Sequence, residues 1–172
     1  MRLTPGQMVM NLLPMAVLIL VILIPSGRLD AQNGQDASAS AGARFVVILN
    51  GEAVRDTTTG LIWEQSPDLS HLVWTEAITH CEEKRLGGQG WRLPTVKELA
   101  TLIDQEQKDP ALPKNHPFAN IRSAVYWSAT PSETDDIVAW HVSFFTGQVV
   151  TDQKSQTRRV WCIQNRPPES TP

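Results

Sequence analysis

Apolar and polar positions along this chain change rhythm several times, and each change predicts an element. Residues 8–24 are almost continuously apolar, and 32–43 are rich in Ala, Ser, Gly and Gln with one charge. Short β-rich runs follow at 45–49 and 54–56, with Asn50-Gly51 between them as a hairpin turn signal. A turn at 57–60 leads to a third run at 61–64. Trp74, Ala77, Ile78, Cys81 and Arg85 then recur at i, i+3, i+4, i+7 and i+11. This predicts an amphipathic helix with Cys81 on its buried face, stopped by Gly87-Gly88. Residues 91–93 read as extended, and Pro94 keeps Leu93 out of the helical region. Thr95 and Glu98 have capping-box spacing, and Val96, Leu99, Leu102 and Ile103 continue at helical spacing.

Beyond this second helix, residues 104–123 are polar and broken by Pro110, Pro113 and Pro117, which predicts a long irregular loop. Strand signals return at 126–128. Val138, Trp140, Val142 and Phe144 alternate with Ala139, His141 and Ser143, predicting a strand with one buried face and His141 on the polar one. A turn at Thr146-Gly147 leads into 148–151, a basic polar loop is expected at 154–159, and the last strand at 160–163. The pattern predicts an α+β domain over 44–166, with two helices among several short strands.

The apolar run at 8–24 changes where this domain is expected. Arg2, the run 12–24 and Leu29-Asp30-Ala31 have the layout of a signal peptide over 1–31, cut after Ala31. The uncharged span 3–27 is also long enough for a membrane anchor. Both readings put the domain outside the cytoplasm, on a flexible linker at 32–43 and with a disordered tail at 167–172. Membrane contact is expected only through the N-terminal segment. Of 15 basic and 18 acidic side chains, Arg2, Arg28 and Asp30 fall in the signal, leaving 13 and 17, a formal charge of −4. That balance offers no electrostatic case for nucleic acid.

Two cysteines remain, Cys81 and Cys162. In an exported chain the default is a disulfide between them. A reactive or metal-binding thiol pair and two unpaired thiols are the alternatives.

Several motifs occur in one order: 54–63 with Asp56-Thr57-Thr58-Thr59-Gly60-Leu61-Ile62-Trp63; Trp74-Thr75-Glu76-Ala77 with Cys81; 88–99 with Trp91-Arg92-Leu93-Pro94-Thr95; Tyr126-Trp127-Ser128-Ala129-Thr130; and Lys154 with 160–162. Over about 53–166 this pattern resembles the Lcl C-terminal domain family, exported bacterial domains named for the end of a collagen-like surface adhesin. The resemblance implies a C-type-lectin-like fold, distantly similar to the formylglycine-generating oxidases. In that fold two helices pack on a twisted antiparallel sheet, the first and last strands pair, and one disulfide joins a helix to the last strand. The Glu-Pro-Asn and Trp-Asn-Asp signatures of calcium-dependent sugar-binding lectins are absent here. Arg, usual before the last cysteine in the family, is replaced by Trp161.

The candidate chemistry is a binding chemistry. Lys114, Arg122, Lys154, Arg158 and Arg159 are expected to form a patch for an acidic or sulfated glycan. Trp161 alternates with Cys162, so its ring is expected to point outward as a further contact. Trp63, Trp74, Trp91, Trp127 and Trp140 fall on expected buried faces. Glu133, Asp135 and Asp136 supply hard oxygens of the kind calcium takes, although a short acidic run is ordinarily a solvated turn. His71, His80, His116 and His141 lack ligand spacing, and no nucleophile–base set stands out. The expectation is a non-enzymatic envelope or surface binding module for a glycan or surface protein, needing no cofactor or metal. An enzyme related to the oxidases and a purely structural envelope protein are the alternatives.

Overall fold

The structure is a computed structural model that describes residues 43–164 except Gln89. The expected signal or anchor, most of the linker and the C-terminal tail lie outside these residues.

The first hairpin forms as its turn signal predicts. Strand β1 (Phe45–Ile48) pairs antiparallel with β2 (Ala53–Asp56) around a single 3-10 turn in which Asn50 and Gly51 take positive φ. Strand β3 (Ile62–Glu64) adds to β2. A two-residue strand β4 (His71–Leu72), not foreseen, precedes helix α1 (Trp74–Glu82). Strand β5 (Trp91–Arg92) leads into helix α2 (Val96–Ala100), where the capping box is complete: Thr95 Oγ1 accepts from Glu98 N–H, and Glu98 accepts from Thr95 N–H. Glu98 is also gripped by both terminal nitrogens of Arg92, at 2.8 and 2.6 Å, so β5 and α2 are locked at one angle. Strands β6 (Val125–Pro131), β7 (Val138–Ser143) and β8 (Gln148–Gln153) form a meander. Strands β9 (Arg158–Arg159) and β10 (Ile163–Gln164) close the described chain.

These strands form two five-stranded sheets, not one. Their orders are β1-β2-β3-β10-β5 and β4-β9-β6-β7-β8. Pairing is antiparallel except for a parallel contact between β6 and β9 at Tyr126 and Arg159. The first and last strands share a sheet but are not neighbours, because β2 and β3 lie between them. The basic segment expected as a loop contributes β9.

Alternation along the strands feeds two cores. One contains Val54, Trp63, Leu99, Leu102, Phe118, Tyr126, Val142, Phe144, Trp161 and Ile163. The other contains Ala53, Ile62, Ala77, Cys81, Trp91, Trp127, Ala139, Val160 and Cys162. Neighbouring residues, Trp63 after Ile62 and Trp127 after Tyr126, therefore go to opposite cores. This two-sided burial overturns two expectations. Trp161 does not point outward: it is fully buried and donates its Nε1–H to the Glu64 carbonyl at 2.8 Å. His141 is not on a solvated face: it is buried, with its ring 5.9 Å from that of Trp127. In the other direction, Trp74 and Trp140 are only half-buried.

A Cys81–Cys162 disulfide joins α1 to the segment before β10. Both residues are fully buried.

Candidate functional site

Two of the expected basic residues, Arg158 and Arg159, lie on β9 in the second sheet, and a third, Arg122, precedes β6. Strand β9 is short, and its two arginines are placed by pairing with β4: His71 lies opposite Arg159 and Leu72 opposite Arg158. Arg158 hydrogen-bonds Asp152 and, at 2.8 Å, the Thr157 carbonyl. Arg159 donates to the Leu69 carbonyl at 3.3 Å. The Nε atoms of both arginines are buried and have no acceptor. The Tyr126 hydroxyl is held by the Arg122 backbone and feels the charges of Arg122 and Arg159. It accepts from Arg122 N–H at 2.9 Å and donates to the Arg122 carbonyl. Burial raises its pKa, opposed by the Arg122 N–H and by the positive charges of Arg159 and Arg122. A cleft of about 290 Å³ opens here, lined by His71, Ala124, Val125, Thr157 and Arg158.

The remaining expected site residues are elsewhere. Lys154 is committed: its ammonium lies 4.5 Å from the Trp74 ring centre and donates to the Asp136 carbonyl at 2.6 Å. Lys114 is exposed and joins none of the arginines through a hydrogen bond or ion pair. Trp161 belongs to the core and can touch no ligand at the surface. In the acidic loop, the Asp135 carboxylate caps the Ile137 N–H. No group of three or more His, Cys, Asp or Glu side chains among the described residues is arranged to hold a metal ion.

A second polar constellation was not foreseen. Glu64, on the short apolar strand β3, is 7% exposed and accepts from Lys84 Nζ at 2.7 Å. Burial raises its pKa, against the hydrogen bond and charge of Lys84, while Asp68 pushes it further up. Asp68 in turn meets His80 at 3.0 Å. A carboxylate next to Trp63 in a three-residue strand was the available signal. The partner could not be read, because Lys84 falls in a charged run that resembles an ordinary solvated helix end.

Two imidazoles give the domain a pH dependence. His116 and His141 both lie below the usual histidine range, chiefly because burial penalises the charged ring. At His116 the Phe118 backbone opposes this. At His141 the Asp152 charge opposes it and the Arg158 charge adds to it. The unfolded chain therefore takes up protons at these positions before the folded one does. Stability should be fully present above about pH 6.5 and fall as pH drops toward the folded values, by at most about 1.4 kcal/mol per pH unit for each ring. Urea midpoints at pH 5.5, 6.5 and 7.5 measure this. His141→Gln should flatten the profile, and an unchanged slope would show that the ring is not the titrating group.

The comparisons with known proteins bear on the same residues. No curated protein matches the chain. Residues 52–164 match the family model of the Lcl C-terminal domain, and they include both cysteines, both helices and all three arginines. With about two thirds of its length inside that match, the chain belongs to the Lcl C-terminal domain family.

Proposed function

We propose that this is an exported, non-enzymatic binding module that takes an anionic ligand, a sulfated or phosphorylated glycan, at the cleft lined by Arg158, with Arg122 and Arg159 as further contacts. A C-type-lectin-like arrangement is part of this reading. It rests on family membership and on two helices packed with antiparallel strands about one disulfide. The buried disulfide supports an oxidising location outside the cytoplasm.

The observation that carries the proposal is the Arg158 Nε, buried without an acceptor, on a side chain that lines an open cleft. A buried donor left unpaired costs about 1–3 kcal/mol. Sulfate or phosphate oxygens would supply acceptors, and their geometry matches the guanidinium fork.

On an array of sulfated, phosphorylated and neutral glycans, the purified protein should retain anionic members and release them as salt rises. Arg122→Ala should weaken binding by about tenfold, roughly the loss of one charged hydrogen bond. Lys114→Ala should change nothing. Silence across the array, or retention of neutral glycans alone, would overturn the reading.

A further inference from the structure

We propose that the outer edge of β8 is an interface for a second copy of this chain, joined antiparallel about a two-fold axis at Val150. Strand β8 ends the order β4-β9-β6-β7-β8, so only one of its sides is paired. Natural edge strands are ordinarily blunted by Lys, Pro, a bulge or a covering element. Gln148–Gln153 contains neither Lys nor Pro, its register with β7 is unbroken, and Val149 and Val150 are both exposed. Its one charge, Asp152, is paired with Arg158 of the same chain, so a second copy meets no uncompensated like charge.

Backbone alternation defines which groups on this edge are free. Lys154 N–H donates to the Ile137 carbonyl at 2.9 Å. In an antiparallel ladder the bonded pairs recur at every second residue. Asp152 and Val150 therefore also turn their backbone groups toward β7, opposite Ala139 and His141. Val149, Thr151 and Gln153 turn theirs outward. Gln153 is already closed: its N–H donates to the Asp152 carboxylate at 2.8 Å, and its carbonyl accepts from Gln156 N–H at 2.9 Å. Gly147 closes the other end. Its N–H donates to the Ser143 carbonyl at 2.7 Å, and its carbonyl accepts from Gln105 Nε2 at 3.3 Å. The open edge is thus Val149 and Thr151, whose two donors and two acceptors bond to no described residue.

That set is self-complementary. When two copies of β8 run antiparallel with Val150 opposite Val150, Val149 of each copy faces Thr151 of the other. Outward residues then oppose each other at both positions, and four N–H···O=C bonds satisfy every free group on the two edges. Val150 forms the close, non-bonded pair on the axis, where apolar side chains pack across strands. Gln148 falls opposite Asp152 of the second copy. A slip of one residue sets outward groups against inward ones and forms no bonds, and a slip of two leaves half of them unmade. An arbitrary extended peptide finds only this two-residue stretch to pair with, whereas a second copy also brings a matching valine to the axis. The two five-stranded sheets then become one continuous sheet.

The test is sedimentation velocity and amide hydrogen exchange of the exported protein from roughly 10 µM to 1 mM, the range in which so small a contact associates. The mass should rise from monomer toward dimer. The amides of Val149 and Thr151 should gain protection with concentration, while those of Val150 and Asp152, already bonded to β7, should not. Val150→Lys and Val150→Glu should each weaken association about tenfold, because like charges then meet on the axis. Mixing these two variants should restore association to within about threefold of the original, because opposite charges then meet there. Val150 is exposed, so neither change should disturb the fold. Thr151→Pro, which deletes an N–H that β7 does not use, should abolish the dimer. A monomer throughout the range, concentration-dependent protection at other amides only, or no recovery in the mixture would each overturn the proposal.

Discussion

Replacing both Cys81 and Cys162 with Ala is expected to lower stability by up to about 4.5 kcal/mol, a large share of the roughly 5–15 kcal/mol that holds a native domain together. The cysteines are 81 positions apart. Closing a loop that long restricts the unfolded chain strongly, and 4.5 kcal/mol is the upper figure from loop-closure entropy. Packing adds to the effect, since Cys81 lies between Ala77 and the short strands of the second core. Helix α1 has only nine residues and no side-chain cap at its N-terminus, so it depends on tertiary contacts. Because both sulfurs are buried, a mild reductant should act on the native protein only as fast as it opens. Urea unfolding of the double Ala variant checks the prediction. A midpoint equal to that of the unmodified protein would show that the bridge contributes nothing. Rapid native-state reduction would show that it is not enclosed.

Much of this architecture is legible in the sequence where the signal is local. The Asn50-Gly51 turn, the Thr95–Glu98 box and the 3.6-residue rhythm of 74–81 each depend on neighbours a few positions apart, and each appears as read. What could not be read is the number of apolar layers. Alternation implies one buried face and one wet face only for a sheet covered on one side. Here the odd and even positions of several strands enter different cores. That is why Trp161 and His141, assigned to the wet face, are buried, and why a single sheet was expected where there are two.

The candidate site shows the same division. The sequence marks Arg122, Arg158 and Arg159 as basic residues outside the apolar rhythm; the charges of Arg122 and Arg159 act on Tyr126, while Arg158 is held by Asp152 and lines the cleft. It gives no sign that Lys154 is spent on Trp74 and Asp136, because that contact spans 80 positions on one side and 18 on the other. Nor does it reveal His71 as part of the cleft. That residue is placed by a two-residue strand, too short to carry any periodicity.

Trp161→Ala is expected to cost about 3–5 kcal/mol, the range for deleting a large buried aromatic. The indole is the hub of the first core. Its ring lies 5.4 Å from Trp63, 4.8 Å from Phe118, 5.8 Å from Phe144 and 6.0 Å from Tyr126. These rings come from β3, the irregular segment after α2, the β7–β8 turn and β6, so truncation opens a cavity that no single element can collapse to fill. Trp161→Phe separates the two parts of the effect. It keeps an aromatic ring but removes the Nε1–H that the Glu64 carbonyl accepts, and it should cost about 1–3 kcal/mol. Had Trp161 been an exposed contact, either change would move stability by no more than about 0.5 kcal/mol. Denaturant midpoints and tryptophan fluorescence of the two variants decide between these cases. A Trp161→Ala protein as stable as the original would return the ring to the surface and remove the two-core account of the segment before β10.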